Sequence, residues 1–150
     1  MSGNLVLTVG NGMMGDDGAG ILLAQKIKQE PLQNWQVLDG GSAPENVLYL
    51  VREMAPERLL LVDAADMDLP PGSIRRIPEE RLSDPFLFTT HTLPLTFLIE
   101  ALGEFVPQVE FLGIQPDVVA FGFPMSPSVR NAVEQVYLSL KSGEESWDCL

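Results

Sequence analysis

Leu5-Val6-Leu7-Thr8-Val9-Gly10-Asn11-Gly12-Met13-Met14-Gly15-Asp16-Asp17-Gly18-Ala19-Gly20 decides the fold class. A short apolar run bounded by glycine reads as a buried first strand. Gly20, Leu23, Ala24 and Ile27 then fall at i, i+3, i+4 and i+7, so an amphipathic helix follows almost at once. The same change of period recurs down the chain. Trp35–Leu38 is expected as a second strand, closed by Asp39-Gly40-Gly41, and a helix from about Pro44 turns Val47, Leu50, Val51 and Met54 to one side. Leu59–Val62 is a third strand, ending on Asp63.

The middle is less regular. Asp68 to Pro71 reads as a turn, Ser73–Ile77 as an edge strand and Pro78–Pro85 as loop. Thr92 and Pro94 open a third helix with Leu95, Leu98, Ile99 and Leu102 on its buried face. Val109–Ile114 is another strand, and Val118–Phe121 is expected to continue at the sheet edge. A last helix from about Pro127 carries Val129, Ala132, Val133, Val136 and Leu140. The polar, acidic stretch from about residue 142 is expected to be frayed and disordered. Alternation of this kind predicts one α/β domain over residues 1–150, a three-layer α/β/α sandwich with a mainly parallel central sheet. Ligands of such sheets bind beyond the carboxyl ends of the strands at a topological switch point. That directs attention to the loop of residues 10–20 and to Asp63.

Composition narrows the function. Of 150 residues 45% are hydrophobic and 20% charged, which is ordinary for a globular chain. Nine Lys+Arg against 21 Asp+Glu give a net charge of -12, and such a surface repels phosphate backbones and anionic lipid. No nucleic-acid or membrane partner is expected; a cation or a basic peptide fits better. Cys149, the single cysteine, can form no internal disulfide and fits a reducing, cytoplasmic compartment. The N-terminus lacks a basic region before its apolar run, so secretion is not expected. A monomer is expected, since no exposed apolar seam is evident in the sequence.

Gly10 to Gly15 also matches G-x-G-x-x-G, and Asp39 sits where a ribose-binding acid would, so a dinucleotide-binding domain is a rival reading. Like charge argues against it, because Asp16 and Asp17 fill the helix N-terminus that a pyrophosphate would occupy. One acid before a helix is ordinary capping; two in succession exceed what a cap needs. Asp16 is expected to cap and Asp17 to project into the cleft, although the spacing fits either order. Asp63 alone reads equally well as a turn residue. His91, the only histidine, lies in Thr89-Thr90-His91-Thr92 before a helix, where a neutral imidazole suited to metal ligation is favoured. Two carboxylates and one imidazole suit a divalent cation such as nickel, zinc or manganese.

Gly10-Asn11 through Asp16-Asp17-Gly18-Ala19-Gly20, Asp39-Gly40-Gly41, Leu61-Val62-Asp63-Ala64 and His91 together resemble the nickel-iron hydrogenase maturation endopeptidases. The resemblance covers nearly the whole chain in order and spacing. It implies that Asp17, Asp63 and His91 are the metal-binding and catalytic positions; many relatives carry Glu where this chain has Asp17. It further implies a protease that removes the C-terminal extension of a hydrogenase large-subunit precursor after nickel insertion. The nickel would arrive with the substrate and serve as the recognition signal. The alternative is a nickel-binding accessory or chaperone module without proteolysis. No H-E-x-x-H helix and no G-x-S-x-G elbow is present, which leaves zincin and serine-hydrolase accounts without support.

Overall fold

The computed structural model describes residues 3–82 and 95–150. Strands β1 (Asn4–Thr8), β2 (Trp35–Asp39), β3 (Arg58–Ala64), β4 (Ile74–Arg76) and β5 (Gln108–Ile114) form one sheet in the order β2-β1-β3-β5-β4. All pairings are parallel except β4 with β5, so the antiparallel strand lies at one edge. Helices α1 (Ala19–Gln29), α2 (Leu48–Met54), α3 (Leu95–Gly103) and α4 (Pro127–Ser142) complete the three layers.

Alternation along the strands sorts the helices between the two faces. Val6, Leu60, Val62, Leu112 and Ile114 pack against α1 and α4 through Leu23, Ile27, Val129, Val133 and Val136. Leu5, Leu7, Leu59, Leu61 and Phe111 face the other way, onto Val51 of α2 and Leu98 and Leu102 of α3. Burial on both faces is why β1 and β3 read as continuous apolar runs. Each fully buried leucine contributes roughly 2 kcal/mol, so the central strands anchor the fold.

Because β1 lies between β2 and β3, the crossover through α1 leaves β1 on one side and that through α2 returns on the other. The switch point is therefore the seam between β1 and β3. Their register sets Thr8 opposite Val62, and the Val9 amide still donates to the Val62 carbonyl at 2.9 Å. The chain leaves this seam as the glycine loop on one side and as Asp63 on the other. Gly20 makes the close approach of α1 possible: a Cβ there would lie 2.3 Å from the Val9 carbonyl oxygen and 3.2 Å from that of Val62.

Several expectations need revision. Val118–Phe121 is not a strand, since the outer side of β5 is already paired with β4. The helix expected from Pro44 begins as a 3-10 turn over Pro44–Val47. Thr92 and Pro94 lie outside the described residues. The tail expected to fray is instead docked on the sheet edge: the Arg76 amide donates to the Asp148 carbonyl at 2.8 Å and the Leu150 amide to the Arg76 carbonyl at 2.7 Å. Charge holds it there. Arg58 pairs with Glu145 of the tail and with Glu110 of β5, and Arg76 reaches Glu110 at 2.9 Å and stacks over Trp147.

Candidate active site

The loop after β1 folds on itself before α1 starts. Asn11 donates its amide to the Asp17 carbonyl at 3.2 Å and to Asp17 Oδ2 at 3.1 Å, while its own Oδ1 accepts from the Met13 amide at 3.0 Å. Residues Gly15–Gly18 then form a 3-10 turn that leads into α1. Gly10 carries the Asp17 backbone so closely that a Cβ at Gly10 would sit 2.2 Å from the Asp17 carbonyl oxygen. Asp17, nearly inaccessible to solvent, is thus seated directly over the end of β1.

Asp63 is also buried. It lies one residue beyond Val62, beside Val9, and opposite Gly113 of β5. By strand alternation it faces the layer of α2 and α3, whose described start, Leu95, belongs to the same apolar cluster as Leu61. The structure therefore brings Asp17 and Asp63 to one edge of the sheet, at the switch point. His91, the third expected site residue, lies outside the described residues. Among the described residues no group of three His, Cys, Asp or Glu side chains could hold a metal. The two carboxylates are hard oxygen donors, and a divalent cation held there would require at least one further ligand.

Asp16 does something the sequence did not indicate. No side chain caps α1. The Asp16 carboxylate instead crosses to the loop between β5 and α4, accepting from the amides of Asp117 (2.8 Å), Val118 (3.0 Å) and Ser126 (2.6 Å) and from the Ser126 hydroxyl (2.7 Å). Burial pushes its pKa up, but the hydrogen bonds from Ser126, Val118 and Asp117 outweigh that and hold it below the ordinary carboxylate value. Of the two adjacent acids, Asp16 is a clasp to the loop before α4, and Asp17 accepts from the Asn11 amide within the glycine loop.

Asp39 closes its own turn by accepting from the Gly41 amide at 2.9 Å. The Gly41 carbonyl accepts in turn from the Gly10 amide at 2.9 Å, so this turn braces the glycine loop. Gln115, buried at the end of β5, accepts from the Met67 amide at 2.7 Å and donates to Asp66 at 3.1 Å. It fixes the segment that follows Asp63. Sequence reasoning passed over it; an amide side chain ending a buried apolar strand was the available signal.

A buried carboxylate pair at the switch point of an α/β/α sandwich is the geometry on which comparison with known proteins bears. The family model for hydrogenase maturation protease (HycI) matches residues 21–141. The chain belongs to the hydrogenase maturation proteases. A hydrogenase 3 maturation protease of Escherichia coli K12 is 52% identical over 141 residues, spanning 94% of this chain and 90% of that protein. The solution structure of the endopeptidase HycI from E. coli superposes on this protease with a TM-score of 0.92 at 50% identity, covering 100% of this chain and 97% of the other. A maturation protease of Thermococcus kodakarensis shares the fold, with a TM-score of 0.83 over 94% of this chain and 91% of its own at 22% identity. The protein is a peptide hydrolase of hydrogenase maturation. No helix among the described residues is long and apolar enough to cross a membrane.

Proposed function

We propose that this protease removes the C-terminal extension of a nickel-iron hydrogenase large-subunit precursor once nickel has been inserted, and that Asp17, Asp63 and His91 recognise the nickel carried by that substrate. The observation that supports it is the convergence of two buried carboxylates on one sheet edge in a member of this family. Engagement of the substrate's own metal would fix the nearby scissile peptide against the protease and lower the entropic barrier. Hydrolysis then needs a water made nucleophilic and a carbonyl made electrophilic. A carboxylate of the pair acting as general base, as in an aspartate-type peptidase, meets the first need; polarisation of the carbonyl by the substrate metal meets the second. The exposed, unpaired thiol of Cys149 suits a reducing cytoplasm, and we take the working form to be a monomer.

Purified protein is mixed with nickel-loaded precursor, and the precursor mass is recorded before and after. Loss of a C-terminal peptide is expected with the parent and not with Asp17→Ala, Asp63→Ala or His91→Ala. Cleavage by Asp17→Ala and His91→Ala at the parent's rate would show the site to be wrong. Tight nickel binding by the free protein with no change in precursor mass would instead support the accessory-module reading.

A further inference from the structure

Six large apolar side chains are exposed among the described residues: Met13, Tyr49, Phe97, Phe121, Phe123 and Leu138. Five of them share one end of the molecule. Met13 is in the loop after β1, Tyr49 in the first turn of α2, Phe97 near the described start of α3, and Phe121 and Phe123 in the loop after β5. All these segments lie at the carboxyl edge of the parallel strands, where Asp17 and Asp63 sit. Leu138, late in α4, is alone at the other end.

Three of the five are contiguous. The Gly122 amide donates to the Met13 carbonyl at 2.9 Å, and a Cβ on Gly15 would lie 3.5 Å from the Phe123 Cβ. Met13, Phe121 and Phe123 are 62%, 71% and 56% exposed, a concentration of uncovered apolar surface that marks interaction sites. Asp16 ties this surface to the candidate site, since its carboxylate fastens both ends of the 117–126 segment and its neighbour is Asp17. Charge indicates what the surface meets. Residues 10–17, 39–47 and 115–126 contain Asp16, Asp17, Asp39, Glu45 and Asp117 and not one Lys or Arg. A partner must therefore bring apolar side chains together with positive charge.

We infer that Met13, Phe121 and Phe123 form a docking surface for apolar side chains of the substrate protein, beside the Asp17 and Asp63 edge and held in register with it by Asp16. The inference rests on the proposed function, in which the substrate polypeptide brings a cation to this edge. The surface grips the precursor before and during cleavage and takes no part in the chemistry. Its loss weakens binding and leaves turnover intact.

Processing kinetics on nickel-loaded precursor test this with Phe121→Ser/Phe123→Ser, the conservative Phe121→Leu/Phe123→Leu, and Leu138→Ser as a control. The serine pair is expected to raise KM about tenfold or more with kcat within about twofold, while the leucine pair stays within about threefold of the parent in KM. Leu138→Ser should match the parent. A cleaving parent and a serine pair of equal KM overturn this inference alone, as does a loss confined to kcat. If the parent sediments as a dimer that the serine pair dissociates while KM holds, the patch belongs to a second copy of the chain and the inference fails. A parent that leaves the precursor intact removes the proposed function and this inference with it.

Discussion

Asp16→Asn swaps one carboxylate oxygen for an amide nitrogen of nearly the same size, so its effect measures what the charge and the lost acceptor contribute. The carboxylate is fully buried and accepts four hydrogen bonds, three at Oδ2 and one at Oδ1. Asparagine is best turned with its oxygen at the Oδ2 position. That keeps the donors from Asp117, Val118 and the Ser126 hydroxyl, but sets the new NH2 against the Ser126 amide. A bond to a charged acceptor is worth roughly 1.5–3 kcal/mol net, and a stranded buried donor costs about 1–3 kcal/mol. Weakening of the three retained bonds brings the expected loss to roughly 3 kcal/mol, or about 6–12 °C in Tm for a chain of this size. The sign of the pH dependence follows from the lowered pKa. The folded group titrates below the unfolded value of about 3.9, so this stabilisation is complete above that value and is lost as pH falls through the folded one. Urea unfolding followed by the fluorescence of Trp35, buried at the start of β2, should give a parent–variant gap that is constant above about pH 5 and closes in acid. A gap below about 0.5 kcal/mol at pH 7, or one that widens on acidification, refutes the clasp.

Gly20→Ala tests the seam beneath the site. Helix propensity favours alanine by about 1 kcal/mol, yet its Cβ meets the Val9 carbonyl oxygen at 2.3 Å; a net loss of roughly 2 kcal/mol or more is expected in thermal unfolding, and unchanged stability would mean that α1 can back away. Glu145→Ala removes a partner of Arg58, and with both side chains mostly buried the cost is about 1 kcal/mol. Faster hydrogen exchange at the Leu150 amide is the accompanying sign, and protection equal to the parent's would show that the tail docks without the ion pair. Asp17→Glu lengthens the side chain by one methylene and, on the proposed function, should retain processing of the precursor where Asp17→Asn loses it; equal loss in both would mean that reach rather than charge limits this position.

The sheet, its helices and the location of the carboxylates were legible because each depends on short-range pattern. Gly20, Leu23, Ala24 and Ile27 of α1 and the apolar positions of α4 are buried as their spacing required, and Asp63 needed only the observation that it follows a buried apolar run, although β3 continues one residue past it to Ala64. What stayed illegible depends on partners far along the chain. Asp16 resembles a cap locally, yet its partners are 101 to 110 residues away. The tail is polar enough to fray, but Arg58 lies 87 residues from Glu145 and no local composition announces the pair. Val118 to Phe121 has the β-rich look of a strand, but the three-residue β4 takes the place beside β5 and both the amide and the carbonyl of Val118 are engaged by Asp16.

The glycine loop is the instructive case, since its pattern is that of a phosphate cradle and its chemistry is the reverse. A cradle needs unsatisfied amides aimed outward. Here the Gly10 amide is given to Gly41, that of Asn11 to Asp17, that of Met13 to Asn11 Oδ1, that of Met14 to the Asn11 carbonyl, that of Asp16 to Val118 and that of Asp17 to Met14. The anion at this helix start is the chain's own Asp17 carboxylate, held by the Asn11 amide. Filling the hole from within reverses the sign of the edge, so a turn that elsewhere draws in a pyrophosphate here repels one and favours a cation. Close packing is what the glycines still supply: Gly10 under Asp17 and Gly20 against β1 and β3 admit no Cβ. Of the three glycines of the G-x-G-x-x-G match, Gly10 and Gly15 are demanded by this packing, against the carbonyls of Asp17 and Val118, and the residues that set the loop apart from a phosphate cradle are the two aspartates that follow.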